Sequence, residues 1–162
     1  MKVRNVLATA ALCGSAQIAS AAADFRITEL YTGLSGPDGT ADWFEVTNFG
    51  SMAGNTGTLW YDDESADPTV DDQLPSFNLN PGDSAVFVLG LAGDVATWES
   101  VWGTGITVGA VGGAGLGQGG DSVFLFDGNT AGANVIASAT YPESLSNQLF
   151  TIEIAPNGSQ SL

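Results

Sequence analysis

The chain has very few groups that carry positive charge. Its 162 residues contain 3 Lys and Arg together and no His, against 18 Asp and Glu, so the formal net charge is −15 at pH 7. Lys2 and Arg4 lie at the start, which leaves Arg26 as the remaining base. Binding to nucleic acids and to anionic membranes draws its affinity from clustered cations. We therefore expect no nucleic-acid partner and no membrane partner.

Cysteine and histidine, the usual ligands of zinc, are almost missing. The chain has 1 Cys, Cys13, and no His. Zinc sites use Cys and His, and His, Cys and Lys supply most catalytic bases and nucleophiles. The composition therefore argues against zinc chemistry and leaves carboxylates as the candidate catalytic groups. Divalent cations bound through oxygen stay open, as does the alternative that the acidity serves solubility or life in a saline medium.

The N-terminal residues have the three parts of a secretory signal peptide. A positively charged start precedes an apolar stretch, VLATAALCGSAQIA, and a run of small residues, SAAAD. Cleavage after Ala21, Ala22 or Ala23 satisfies the preference for small residues, and residues 1–23 are the predicted signal. A transmembrane anchor is the alternative, but the apolar stretch is short and contains glycine and polar residues.

One secreted domain is expected after the signal. Without residues 1–23, the 18 acidic residues face a single base, which gives a net charge of −17. The remaining length suits one domain with a hydrophobic core. We predict this domain over residues 24–156 and a flexible C-terminal end over residues 157–162. Export predicts an extracellular or periplasmic location, and the lack of further cysteine implies a core that is stable without disulfides.

Short apolar segments separated by turn residues indicate an all-β fold, either a sandwich or a barrel. The predicted strands are FRITELYTG (25–33), DWFEVTNFG (42–50), GTLWYDD (57–63), SAVFVLG (84–90), SVFLFDG (122–128), NVIASATYP (134–142) and QLFTIEIAP (148–156). One short helix is predicted at about residues 94–102, because Val95, Trp98 and Trp102 recur at helical spacing and Asp94 can cap its start.

Asp42 and Glu45 flank two aromatic residues in the segment TADWFEVTNFG. Strand alternation places Phe44 and Val46 on one face, where we expect them to be buried, and Trp43 with Glu45 on the other face. A carboxylate pair that cleaves a glycosidic bond must flank that bond, with its two groups roughly 5–10 Å apart. Asp42 and Glu45 point to opposite faces, so each would need a carboxylate from elsewhere in the chain.

The acidic segment DDESADPTVDD is the strongest candidate metal site. Calcium takes six to eight oxygen ligands from carboxylates, carbonyls and water. The candidate calcium ligands are Asp62, Asp63, Glu64, Asp67, Asp71 and Asp72. Their spacing does not match an EF-hand, and a solvated acidic loop is the alternative.

The segment GLGQGG, residues 115–120, matches the pattern G-x-G-x-x-G. It precedes a predicted strand, whereas a dinucleotide-binding fingerprint follows a strand and opens a helix. We therefore interpret residues 109–120 as a glycine-rich loop and predict no nucleotide cofactor.

Several stretches together resemble the lamin-tail domain family, in its bacterial secreted branch. In chain order they are ITELYTG (27–33), ADWFEVTNFG (41–50), LWYDDESADP (59–68), LNPGDSAVFVL (79–89), VWG (101–103) and GLGQGGDSVFLFD (115–127). The resemblance covers about residues 25–142 and implies an immunoglobulin-like β-sandwich that has no shared catalytic residues. It also implies an architectural role for Asp42, Trp43, Asn48, Gly50, Pro81, Gly82, Gly120 and Asp121.

The resemblance implies a secreted, non-catalytic binding or surface-association module. Its expected partner is a protein or a polysaccharide at the cell surface or in the extracellular matrix. Trp43 and Trp60 are the candidate binding-surface aromatics, and calcium in the acidic segment is the one cofactor left open. Two alternatives remain: a small secreted hydrolase that uses Asp42, Glu45 or the acidic segment, and a structural protein of an envelope or matrix.

Overall fold

A computed structural model describes residues 22–33, 39–113, 115–145 and 150–162. The predicted signal peptide, apart from its last two residues, lies outside the described residues. In the part of the chain that is described, no helix is long and apolar enough to cross a membrane.

Two sheets packed face to face form the body of the molecule. Its strands are β1 (Phe25–Tyr31), β2 (Trp43–Asn48), β3 (Gly54–Asn55), β4 (Trp60–Asp62), β5 (Asp72–Gln73), β6 (Asn78–Leu79), β7 (Ser84–Leu89), β8 (Val108–Val111), β9 (Gly120–Phe126), β10 (Val135–Pro142), β11 (Ile152–Ile154) and β12 (Gln160–Ser161). Sheet 1 has the order β12-β11-β1-β2-β7-β8, sheet 2 has the order β10-β9-β4-β5, and β3 pairs with β6. The architecture confirms the predicted all-β sandwich with one short helix.

A β-bulge aligns the apolar residues of β1 with the core. Phe25 and Ile27 face inward with strict alternation, but Leu30 is one position out of step with them. The pairing of β1 with β2 shifts register between Ile27 and Glu29. The extra residue turns Leu30 back toward the interior, where it is fully buried.

One helix connects two parallel strands of sheet 1. Helix α1 (Ala92–Trp102) follows β7 and leads into β8, which pairs with β7 in parallel. Parallel neighbours need such a crossover, because a tight turn reverses the chain direction. The helix begins two residues earlier than predicted, and Asp94 accepts a hydrogen bond from the Leu91 backbone N–H at 2.7 Å. Leu91, and not Asp94, is therefore the N-cap residue, and Asp94 satisfies the Leu91 N–H from the third position of the helix.

The described residues form two hydrophobic clusters, one on each face of sheet 1. The main core between the sheets contains Phe44 and Val46, which are fully buried as predicted. The second cluster lies on the outer face of sheet 1, and its buried members are Tyr31, Trp43, Val86, Val88 and Trp98. Trp98 comes from α1, so the helix covers this second cluster.

Several short elements lie in segments predicted to be loops. The strand β8 includes the first three residues of the segment 109–120, which was predicted to be a glycine-rich loop. Its Gly109 leaves space that a side chain would fill. A Cβ at Gly109 would lie 2.9 Å from the Phe77 ring and 3.0 Å from the Pro75 ring. The acidic segment ends in β5. The C-terminal segment predicted to be flexible contains β12, whose Gln160 side chain donates to the Thr140 carbonyl at 2.6 Å.

Candidate functional site

Trp43 is a core residue and not a surface aromatic. Its side chain is 2% exposed, because α1 covers the outer face of β2 at this position. Its ring meets those of Trp98 and Trp102 edge to face, with centroids 5.8 and 5.3 Å apart. This geometry directs ring edges at ring faces, which is the favourable arrangement for aromatic pairs. The prediction of Trp43 as a binding-surface aromatic is therefore wrong, and its architectural role is supported.

Trp60 lies on the opposite side of the molecule and is half-buried. Its strand neighbour Tyr61 belongs to the main core, so alternation directs Trp60 to the outer face of sheet 2. Phe126 is its cross-strand partner on β9, and Phe124 stacks on Phe126 with ring centroids 6.4 Å apart. These three rings form an aromatic strip across the centre of the sheet, in which Trp60 and Phe124 are partly exposed and Phe126 is only 1% exposed.

Hydroxyl groups border this aromatic strip. Ser138 pairs in register with Phe124 and is exposed, as is Thr140. The Ser122 and Thr140 hydroxyls are hydrogen-bonded to each other at 2.8 Å. We define the Trp60 face as Trp60, Phe124, Phe126, Ser122, Ser138 and Thr140. None of these six residues is ionisable, although the chain as a whole is strongly acidic.

The acidic segment satisfies several of its carboxylates internally. Asp62 is buried, and its Oδ2 accepts hydrogen bonds from Ser65 Oγ at 2.5 Å and from Asp67 N at 2.8 Å. Asp67 accepts two from Thr69, which lower the pKa of its carboxyl group. Burial raises the pKa of Asp71, one of whose oxygens has no hydrogen-bond partner among the described residues.

The six candidate calcium ligands do not converge. Within the described residues, which include the whole segment 62–72, no group of three or more acidic side chains is placed to hold a metal ion. The geometry assigns Asp62 and Asp67 to the internal hydrogen bonds of the loop. The calcium site therefore remains a prediction from the sequence that this geometry does not support.

Asp42 fixes the glycine-rich loop to the start of β2. Its Oδ2 accepts a hydrogen bond from Leu116 N at 2.5 Å, and its carbonyl accepts one from Leu89 N at 2.8 Å. Burial raises the pKa of Asp42 to about 6, against the lowering effect of hydrogen bonds from the Leu116 and Gly33 backbone, and nearby Asp121 raises it further. The pKa of Asp42 is therefore raised mainly because the side chain is buried where β2 meets the loop.

Asp121 holds the other end of the same loop. It accepts hydrogen bonds from Gly117 N at 2.6 Å and Ser122 N at 2.7 Å. Tyr141 adds a third tie by donating to the Gly117 carbonyl at 2.8 Å. The segment GLGQGG is thus a loop that leads into β9, and the surrounding side chains hold it in place.

Asn48 has the same kind of role at the exit of β2. Its fully buried side chain donates to the Met52 and Leu79 carbonyls at 2.8 and 2.9 Å. Its backbone carbonyl accepts from Gly82 N at 2.8 Å, and Gly82 has a φ of 85°. A side chain is strained at that φ, so glycine is required in this turn.

Three glutamates form a row across the outer face of sheet 1. Glu45 of β2 pairs in register with Glu29 of β1, which pairs with Glu153 of β11. Thr28 donates to Glu45 at 2.5 Å, and the row lines a groove of about 320 Å³. Burial, and then the charges of Glu45 and Glu153, raise the pKa of Glu29 against the effect of a hydrogen bond from Thr151.

Sequence reasoning missed this row because two of its members come from strands whose register it did not assign. The bulge in β1 places both Thr28 and Glu29 on the outer face, and a strict two-residue alternation cannot predict that. The out-of-step Leu30 was the one available signal of the bulge.

Comparison with models of known protein families finds no match, and comparison with curated proteins finds no match either.

Proposed function

We propose that this protein is an exported, non-catalytic module that binds a neutral polysaccharide through the Trp60 face. The observation that carries the proposal is a pair of partly exposed aromatic rings, Trp60 and Phe124, which lie beside exposed hydroxyls on one sheet face of a highly acidic domain. The ordered stretches that resemble the lamin-tail family support the choice of a binding module over an enzyme.

The chemistry of the Trp60 face favours a neutral, hydroxyl-rich polymer. Sugar rings present apolar C–H faces that pack on aromatic rings. The hydroxyl groups of the sugar can form hydrogen bonds with the side chains of Ser138 and Thr140. Asp62 pairs in register with Phe124 on the same face, but it is buried and accepts hydrogen bonds from Ser65 and Asp67. The six residues of the Trp60 face themselves include no ionisable group. The net charge of −15 also repels anionic polymers at low ionic strength.

Retention on insoluble polysaccharides tests this proposal. We expect the full chain to be retained by at least one neutral polysaccharide and Trp60→Ala to lose most of that retention. Phe150→Ala is the matched control, because Phe150 is 64% exposed and belongs to neither the Trp60 face nor the glutamate row. Equal retention of both variants, or no retention of the unchanged protein on any neutral polysaccharide, would contradict the proposal.

The glutamate row favours a second candidate function, a carboxylate-based hydrolase. Cross-strand neighbours have Cβ atoms about 5 Å apart, which is within the range that paired catalytic carboxylates use. Glu29 has the raised pKa expected of a general acid, and the groove beside it is open. Of the residues predicted for a hydrolase, Glu45 lies in this row and Asp42 does not.

Hydrolysis assays with Glu29→Gln and Glu45→Gln separate the two functions. The binding proposal predicts no release of sugar by the unchanged protein and retention unaffected by either substitution. Turnover that either substitution abolishes would instead establish the hydrolase.

A further inference from the structure

The first described residues extend the pairing of β1 with β2 beyond the ends of both strands. Phe49 N donates to the Asp24 carbonyl at 2.7 Å, and Ser51 N donates to the Ala22 carbonyl at 3.0 Å. Donors two residues apart that bond to acceptors two residues apart follow the antiparallel ladder pattern. Among the described residues, Ala22 therefore supplies the last hydrogen bond of this ladder.

Two glycines in the segment after β2 leave space for these N-terminal residues. A Cβ on Gly50 would lie 2.5 Å from Asp24 N and 2.6 Å from Ala23 Cα, and a Cβ on Gly54 would lie 2.5 Å from Ala23 Cβ. Neither glycine is among those with positive φ, so the close approach, and not the backbone conformation, requires glycine. Ala23 also packs against the main core.

Asn48 fixes the same segment from the core side. Its Oδ1 accepts hydrogen bonds from Asp24 N at 3.1 Å and from Gly50 N at 2.9 Å. The segment from Ala22 to Asp24 is thus part of the folded domain through backbone bonds, side-chain bonds and packing.

We infer that the leader is cleaved between Ala21 and Ala22, an inference that rests on the proposed export. Cleavage after Ala21, Ala22 or Ala23 satisfies the small-residue preference equally well. A cut after Ala22 removes the hydrogen bond to Ser51, and a cut after Ala23 also removes the methyl group packed on the core. The inferred cut keeps both and places the new α-ammonium group on Ala22, which is exposed to solvent.

N-terminal sequencing and intact mass of the full chain exported by a bacterial host test the cut. The expected mature protein begins at Ala22. A start at Ala23 or Asp24 overturns the inference while leaving export intact. A chain that still begins at Met1 overturns both, so the two failures are distinguishable, and neither depends on whether the Trp60 face binds a polysaccharide.

Two substitutions in the leader sharpen the test, because neither residue remains in the mature chain. Ala19 is position −3 of the inferred cut, whereas Ser20 is position −3 of the cut after Ala22. Ala19→Tyr is expected to block cleavage or move it downstream, and Ser20→Tyr is expected to leave the start at Ala22. The reverse pattern would overturn the inference.

A shortened product tests the structural reason for the cut. Any protein from Ala19→Tyr that begins at Ala23 or Asp24 differs from the normal mature protein only by the missing residues. Its melting temperature is expected to be about 3 °C lower, because a ladder hydrogen bond is lost. An unchanged melting temperature would show that Ala22 contributes nothing to the fold and would overturn the argument.

Discussion

At the scale of single residues, Asp42 accepts hydrogen bonds from backbone groups while its own charge is unfavourable in its partly buried position. It connects the start of β2 to the glycine-rich loop through Leu116, and Asp121 lies close enough to raise its pKa. A carboxylate with these partners has a structural role. Both faces of β2 are likewise used for packing, since Trp43 and Phe44 are buried in different hydrophobic clusters.

The raised pKa of Asp42 predicts a pH dependence of stability. Burial raises this pKa from 3.8 to about 6, so between about pH 4 and 6 the folded chain binds more protons at this site than the unfolded chain. The contribution of Asp42 to the free energy of unfolding therefore falls as pH rises through this window. Asp42 is partly solvated, so we expect a loss of about 1–2 kcal/mol.

Urea denaturation at pH 4.5 and pH 7.5 checks this prediction. Asp42→Asn should remove about 1–2 kcal/mol of the difference between the two pH values, since asparagine does not ionise. Glu64→Gln is the control, because it removes one negative charge from an exposed position in the acidic segment. A pH dependence that is the same in Asp42→Asn and in the unchanged protein would contradict the assignment.

At the scale of elements, β8 and α1 each contain a glycine, and the surroundings of the two glycines differ. A side chain on Gly109 would collide with Phe77 and Pro75, whereas a Cβ on Gly93 in α1 would meet no atom within 4 Å. The first glycine makes a close approach possible, and the second only lowers helix propensity.

Two alanine substitutions test this difference. Gly109→Ala should destabilise the protein by about 1–3 kcal/mol, because the added methyl group overpacks the site. Gly93→Ala should stabilise it by about 0.5–1 kcal/mol through helix propensity. Thermal unfolding followed by circular dichroism measures both. Two changes of the same sign and size would show that the environment of β8 is not close-packed.

The elements that sequence pattern could predict are those with a long, regular apolar alternation. β2, β7 and β10 fall within the predicted strands, β9 begins two residues before its predicted strand, and the tryptophan spacing predicted α1. The shortest strands were missed because their stability comes from pairing partners distant in the chain. β12 forms against β11, and β8 forms beside β7 with α1 as the connection. Neither arrangement has a local signal in a glycine-rich or polar segment.

The candidate site was less predictable, because it depends on which faces are covered. Trp43 and Trp60 occupy equivalent outward positions on their strands in the sequence pattern. Only the packing of α1 over sheet 1 buries Trp43 and leaves Trp60 as the aromatic available on a sheet face.

At the scale of the whole molecule, the high negative charge makes stability and self-association depend on salt. With a net charge of −15, the chain repels itself, and added salt screens that repulsion. A general screening effect must be separated from a specific calcium site before the acidic segment is given a function.

Melting curves in calcium and magnesium chloride at equal ionic strength make that separation. Because Asp62 and Asp67 are already used as acceptors inside the acidic segment, we expect both salts to raise the melting temperature to the same extent. A larger increase in millimolar calcium, reversed by a chelator and lost in Asp71→Asn, would instead establish a calcium site.

The central claim is that the Trp60 face contacts a neutral polysaccharide. The most direct measurement follows the 4 tryptophan indole N–H signals by nuclear magnetic resonance while a soluble fragment of a retained polysaccharide is added. We expect a saturable shift of the Trp60 signal, with the signals of buried Trp43 and Trp98 unchanged. A Trp60 signal that stays fixed while the fragment binds would contradict it.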